Sequence, residues 1–257
     1  MIVPLAATDY GDGTPVAILH GLFGAGRNWA GIARRLAENY RAIAFDLRNH
    51  GTSPWADTMA YAEMADDVRG AMRAHGHRHY RLIGHSMGGK VAMLAALCDA
   101  EAVERLIVVD IAPVTYPIPY LAYVRAMRDL DLGAITRRGE ADAKLAGAVA
   151  DPSERNFLLQ SLVFGDGGPR WQLNLAALET AMPTLAGFPV MPAGTTYEGP
   201  ALFIAGGKSS YLRPEHEKAI RALFPNAIVA RVEDAGHWVH VERPQEFLAL
   251  VERFFAS

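Results

Sequence analysis

Apolar and polar positions along this chain alternate between two rhythms. Val16 to Leu19 is a short apolar run leading directly into His20-Gly21-Leu22-Phe23-Gly24, where glycines permit a tight loop, and it predicts a buried strand. Trp29, Ile32, Ala33 and Leu36 then fall at helical spacing, and Tyr40 continues that face. Arg41 to Phe45 supplies a second apolar strand, closed by the polar turn Asp46 to Pro54. The exchange continues with a helix over Ala62 to His75, a strand over Tyr80 to Gly84, a helix over Met87 to Leu97 and a β-branched run over Arg105 to Ile111. Such alternation predicts an α/β fold: a mostly parallel central sheet with helices on both faces.

The rhythm breaks between Pro113 and Pro200, where helix-like stretches occur without a convincing apolar strand. Asp151-Pro152-Ser153-Glu154 reads as a helix opening, because an Asp N-cap, a proline at the first helical position and a following Glu each suit the free amides there. The Pro and Gly cluster from Pro183 to Gly199 reads as a return linker. Ala201 to Ala205 resumes the strand pattern, followed by a helix over Pro214 to Leu223, a strand over Ala227 to Val232 and a helix over Pro244 to Phe255. Residues 1–113 and 200–257 are thus expected to form the core, and 114–199 a helical cap inserted into it.

Composition narrows the setting. With 257 residues, 51% of them hydrophobic, the chain is long enough for one sizeable core and too short for two large domains. The 25 Lys and Arg are nearly balanced by 28 Asp and Glu without long blocks of one sign, which speaks against nucleic-acid or anionic-membrane partners. Cys98 is the single cysteine, so an internal disulfide is excluded, and it reads as an inert residue on a buried helix. No His/Cys cluster has zinc-site spacing. Met1 to Gly13 lacks the pattern of a leader and no apolar stretch is long enough to cross a bilayer, so a cytoplasmic protein is expected, monomeric or homodimeric.

Chemistry concentrates at Gly84-His85-Ser86-Met87-Gly88, a Gly-x-Ser-x-Gly pattern lying between a predicted strand and a predicted helix, as that motif requires. A serine hydroxyl needs a base to accept its proton during attack. Of the 9 histidines, His237 follows the last predicted strand and so opens on the same sheet edge as Ser86. His85 should point away from the serine, His20 should hold the shape of its loop, and His50 and His240 read as loop-packing or surface residues. Charge developing on a carbonyl oxygen needs amide donors. Met87 offers one at the start of its helix, and the His20 to Gly24 loop offers another from Leu22, with Phe23 the alternative.

The orienting acid departs from the commoner arrangement. The loop after Ala201 to Ala205 reads Gly206-Gly207-Lys208-Ser209-Ser210-Tyr211 and holds no carboxylate. Asp110 ends the apolar strand expected beside the nucleophile strand, a costly place for an unpaired carboxylate that a histidine N–H would resolve. Glu215 is the competing acid, in what reads as the first turn of a helix. Asp234 reads as a strand cap.

Beyond the elbow, His20 to Gly24 with Asn28-Trp29, Asp46 to Pro54, Gly84 to Lys90, Val109 to Val114 and Gly236 to His240 together resemble the bacterial YbfF-type esterases and the related abhydrolase-domain-11 proteins of the α/β-hydrolase superfamily. That resemblance implies the acid at Asp110, a supporting serine at Ser209, and hydrolysis of short to medium acyl esters or acyl-CoA through a Ser-His-Asp triad, with no metal or organic cofactor. Arg48 reads as a loop-ordering residue, and Trp238, Tyr120 and Tyr123 as pocket or packing residues. Two rivals share these motifs: a menaquinone-pathway lyase, similar in its Gly-His-Ser-Met-Gly-Gly elbow and using the same residues to abstract a proton, and a ligand receptor on the hydrolase scaffold. A dehalogenase is disfavoured, since its nucleophile would be a carboxylate.

Overall fold

The apolar runs pair into one sheet, which the computed structural model describes over residues 1–118 and 120–257 of the chain. In chain order the strands are β1 (Ala7–Tyr10), β2 (Pro15–Leu19), β3 (Arg41–Phe45), β4 (Tyr80–His85), β5 (Val103–Val109), β6 (Leu162–Gly165), β7 (Gly168–Trp171), β8 (Ala201–Gly206) and β9 (Ala227–Val232). The helices are α1 (Ala30–Leu36), α2 (Tyr61–Ala74), α3 (Met87–Cys98), α4 (Leu121–Arg128), α5 (Arg138–Leu145), α6 (Pro152–Leu159), α7 (Leu175–Ala186), α8 (Glu217–Leu223), α9 (Val239–Glu242) and α10 (Pro244–Ala256). Spatial order across the sheet is β1-β3-β2-β4-β5-β8-β9, parallel throughout except where β1 runs antiparallel to β3.

Two-residue periodicity in the strands builds two cores. Val16, Ile18, Ile83, Ile107 and Val109 face one side, where α1 and α10 cover them with Ile32, Leu36, Phe247 and Val251. Ala17, Leu19, Leu82, Leu106 and Val108 face the other, under Val68 and Met72 of α2 and Val91 and Ala95 of α3. Because both faces are covered, the central strands read as continuous apolar runs.

The departures from the sequence reading have local causes. β1 is an edge strand with exposed side chains, so no apolar signal marks it; pairing to β3 and the Arg41–Asp9 ion pair at 2.5 Å hold it. β6 and β7 form a hairpin inside the segment read as purely helical. Only Leu162 and Trp171 of that hairpin are buried, and they face each other, which leaves no apolar run to read. Asp166-Gly167 between the closing pair Gly165 and Gly168 was its one available signal. α7 continues through Pro183 to Ala186, so the linker starts later than the proline suggests. Cys98 is exposed at the last turn of α3 rather than buried, because that turn extends past the covered stretch of the helix. Among the described residues, no helix is long and apolar enough to cross a membrane.

Lys90 on α3 is only 2% exposed, and its ammonium reaches the end of α7 rather than a carboxylate. Nζ donates to the carbonyls of Ala186 at 2.8 Å and Gly187 at 2.6 Å, with the Tyr116 ring 4.9 Å away. Burial pushes this amine down to about 7 from an ordinary 10.5. Across that window the unfolded chain keeps the proton that the folded chain has released, so stability should rise with pH from about 7 upward. Urea midpoints at pH 6 and pH 9 test this: wild type should gain on Lys90→Met between the two, and parallel behaviour would refute it.

Candidate active site

Ser86 stands at the junction of β4 and α3 with φ 53° and ψ −118°, a left-handed conformation that costs a non-glycine residue about 1–3 kcal/mol. The turn is sharp enough that flanking side chains cannot be accommodated: a Cβ on Gly84 would lie 2.2 Å from the Gly88 carbonyl oxygen, and one on Gly88 would lie 2.4 Å from that of His20. Ser86 therefore projects at the carboxyl end of the sheet into a cavity of about 40 Å³, whose wall also includes Leu22, His237 and Trp238.

Asp110 sits one residue beyond β5, itself at φ 49°, fully buried. Its carboxylate accepts three hydrogen bonds. Oδ1 accepts from the Gly206 amide at 3.0 Å, and Oδ2 accepts both from the Ser209 hydroxyl, in a short bond, and from His237 Nδ1 at 2.8 Å. Nδ1 of His237 thus carries the hydrogen, which leaves Nε2 as the basic atom. The Tyr211 ring stacks on the imidazole at 4.1 Å, and the amide of Tyr211 donates to Ser209 Oγ at 3.1 Å. Tyr211 has no sequence signal; its role emerges only from the folded loop. Glu215 is exposed and pairs with Arg213 at 2.9 Å, and Asp234 is likewise exposed, paired with Lys208 at 3.0 Å rather than capping a strand.

The remaining histidines near the site are committed to structure. His20 accepts from the Leu47 amide at 2.9 Å and donates to the Gly21 carbonyl at 2.7 Å. His50 accepts from the Phe23 amide at 3.3 Å and donates to the Arg48 carbonyl at 2.9 Å. His50 is buried, not surface-lying, and burial together with neighbouring His20 pushes it down to about 3, so it stays neutral. His85 donates Nε2–H to the His237 carbonyl at 2.9 Å, and burial holds it well below the ordinary imidazole range. His240 stacks on Trp29 at 3.9 Å and is pushed down to about 3, again chiefly by burial. Arg48, 1% exposed, ties the Asp46 to Pro54 turn to α2 through Asp67 at 2.6 Å and Glu63 at 2.9 Å.

The His20 to Gly24 loop distinguishes its two candidate donors. Phe23 spends its amide on His50, while Leu22 lines both cavities that touch Ser86. Met87, at the first position of α3, has an amide beyond the reach of intrahelical acceptors. The segment between β5 and β8 supplies part of the same wall: Tyr120, Tyr123, Glu154, Phe157 and Leu158 line the cavity with Ser86.

A serine on a strained strand-to-helix turn, at the carboxyl edge of a parallel sheet with a carboxylate-bonded histidine in the same cavity, is the geometry of nucleophile-elbow enzymes. Comparison with known proteins agrees. A profile described as alpha/beta hydrolase fold matches residues 14–244. The chain is 40% identical to the mouse sn-1-specific diacylglycerol lipase ABHD11, over 96% of this chain and 83% of that protein. It is 34% identical to esterase YbfF of Escherichia coli K12, over 96% and 95%. A solved marine microorganism esterase superposes with a TM-score of 0.94 at 31% identity, covering 98% of this chain and 99% of that one. The chain belongs to the α/β-hydrolase family, alongside YbfF-type esterases and abhydrolase-domain-11 proteins, and it is a hydrolase acting on ester bonds.

Proposed function

We propose that the chain is a serine esterase or thioesterase that cleaves short to medium acyl esters or acyl-CoA through Ser86, His237 and Asp110, with an acyl-enzyme intermediate. The observation that carries this reading is the Asp110–His237 bond at 2.8 Å in a site whose cavity His237 shares with Ser86. His237 Nε2 takes the Ser86 proton as Oγ attacks the acyl carbonyl, and the resulting imidazolium returns that proton to the departing oxygen or sulfur. Asp110 fixes the Nδ1–H tautomer and stabilises the imidazolium, and Ser209 with the Gly206 amide holds the carboxylate in place. The amides of Leu22 and Met87 receive the oxyanion, each donor worth about 3–4 kcal/mol in the transition state. Water then repeats the sequence on the acyl-enzyme and releases the acid. Segment 114–199 acts as the cap that excludes bulk water from this chemistry.

The deciding measurement is hydrolysis of p-nitrophenyl esters and acyl-CoA thioesters from acetyl to octanoyl, with mass spectrometry of the protein during turnover. The expected result is an acyl adduct on the peptide that carries Ser86. Turnover without an adduct there moves the nucleophile elsewhere; no turnover in either panel favours the lyase that would use the same residues to abstract a proton.

A further inference from the structure

Two cavities meet at Ser86, and they have different neighbours. One, of about 60 Å³, is lined mostly by apolar side chains, Met87, Ile111, Met182 and Leu185 among them, with the buried Lys90 in its wall. The other is the cavity of about 40 Å³ that His237 and Trp238 line. A groove of about 620 Å³ adjoins it at Phe157 and Trp238, whose ring centroids lie 5.4 Å apart. Gly21, His85, Phe157 and Trp238 belong to both.

Acyl transfer assigns a direction to each. The imidazolium must pass its proton to the departing atom, so the leaving group has to lie on the His237 side of Ser86 and the acyl chain on the opposite side. His237 faces the cavity that leads to the groove. The groove is lined by Arg27, Asn28, Ser153, Asn156 and Gln160, and no aspartate or glutamate lines it among the described residues. Arg27 donates to the Gln160 carbonyl at 2.7 Å, at the end of α6, and to Gln172 Oε1 at 2.8 Å outside the groove. His240, 5% exposed, lines the groove with its Nδ1 unpartnered among the described residues. One cation and several neutral hydrogen-bonding side chains suit oxygen-rich groups in the groove itself, while Glu154, the carboxylate of the neighbouring cavity, accepts from the Tyr123 hydroxyl at 2.6 Å.

We infer that the groove between Arg27-Asn28 and α6 is a leaving-group subsite for an alcohol or thiol bearing phosphate or hydroxyl oxygens, and that the apolar cavity under Met182 and Leu185 receives the acyl chain. This assignment rests on Ser86 and His237 acting as proposed above. The natural substrate on this reading has a small apolar acyl part and a larger polar leaving group.

The test compares kcat/KM for butyryl-CoA, 1-monobutyrylglycerol and p-nitrophenyl butyrate, and for the octanoyl members of each series, in wild type, Arg27→Ala, Asn156→Ala and Met182→Trp. Asn156 is exposed, so its truncation spares the fold. Arg27→Ala or Asn156→Ala should lower kcat/KM for the CoA thioester or the glycerol ester by about 10-fold relative to the p-nitrophenyl ester. Loss confined to the CoA arm marks phosphate recognition, and loss in both arms marks hydroxyl recognition. Met182→Trp should lower the octanoyl-to-butyryl ratio in every series. Equal losses on all three leaving groups in both groove variants, or a Met182→Trp effect on leaving group instead of acyl length, would overturn the assignment. Absence of wild-type turnover on the whole panel would instead remove the hydrolase mechanism, and the assignment with it.

Discussion

Ester turnover by the Ser86→Ala protein is expected to fall by about 10⁶ in kcat, to the residue left by binding and oxyanion contacts alone. The magnitude follows from the covalent step proposed above: without Oγ that mechanism forms no acyl-enzyme, and its base and amide donors lose the group they serve. Alanine keeps the Cβ that the site already accommodates and adopts φ 53° at similar cost, so the fold should persist and the thermal midpoint should stay close to that of wild type. Steady-state rates on a p-nitrophenyl ester, read beside that midpoint, provide the check. A variant that unfolds cannot speak to mechanism, whereas a folded variant retaining a tenth or more of wild-type turnover would disqualify Ser86.

Asp110→Asn should cost about 10⁴ in kcat. The carboxylate accepts from three donors, namely the Gly206 amide, the Ser209 hydroxyl and His237 Nδ1–H. An asparagine amide supplies its own N–H groups, so one of those donors meets another donor and the simplest relief is for His237 to move its hydrogen to Nε2, where it can no longer accept the serine proton. Glu215→Gln, altering an exposed side chain paired with Arg213, should change kcat by less than about twofold. Stopped-flow acylation rates on both variants discriminate the two acids; a large loss confined to the Glu215 variant would reverse the assignment.

Much of this arrangement is legible in the sequence because it depends on local rules. Tyr80 to Gly84 is apolar, Met87 to Leu97 is helical, and the glycines between them leave few backbone solutions, so the serine turn can be read directly. Asp110 is legible by exclusion: an apolar strand ends on a carboxylate, while the loop after β8 offers a serine and no acid. What cannot be read depends on partners far away in the chain. Tyr211 stacks on His237, 26 positions later, and the hydroxyl of Tyr116 donates to the Tyr211 carbonyl across 95 positions. Lys90 looks like an ordinary polar residue of a helix until α7 delivers its last carbonyls to it. β1 escapes notice because backbone pairing, not side-chain burial, holds it.

The pairing of β5 with β8 has an evolutionary consequence. The chain leaves the sheet just after Asp110 and returns on the adjacent strand, where the Asp110 amide donates to the Ile204 carbonyl at 2.8 Å. The two ends of the intervening excursion are therefore neighbours whatever lies between them, and lengthening a closed loop costs only about 0.6 kcal/mol per doubling. Descendants can swap, shorten or elaborate that excursion while Ser86, Asp110 and His237 inherit their positions unchanged from the strands beneath.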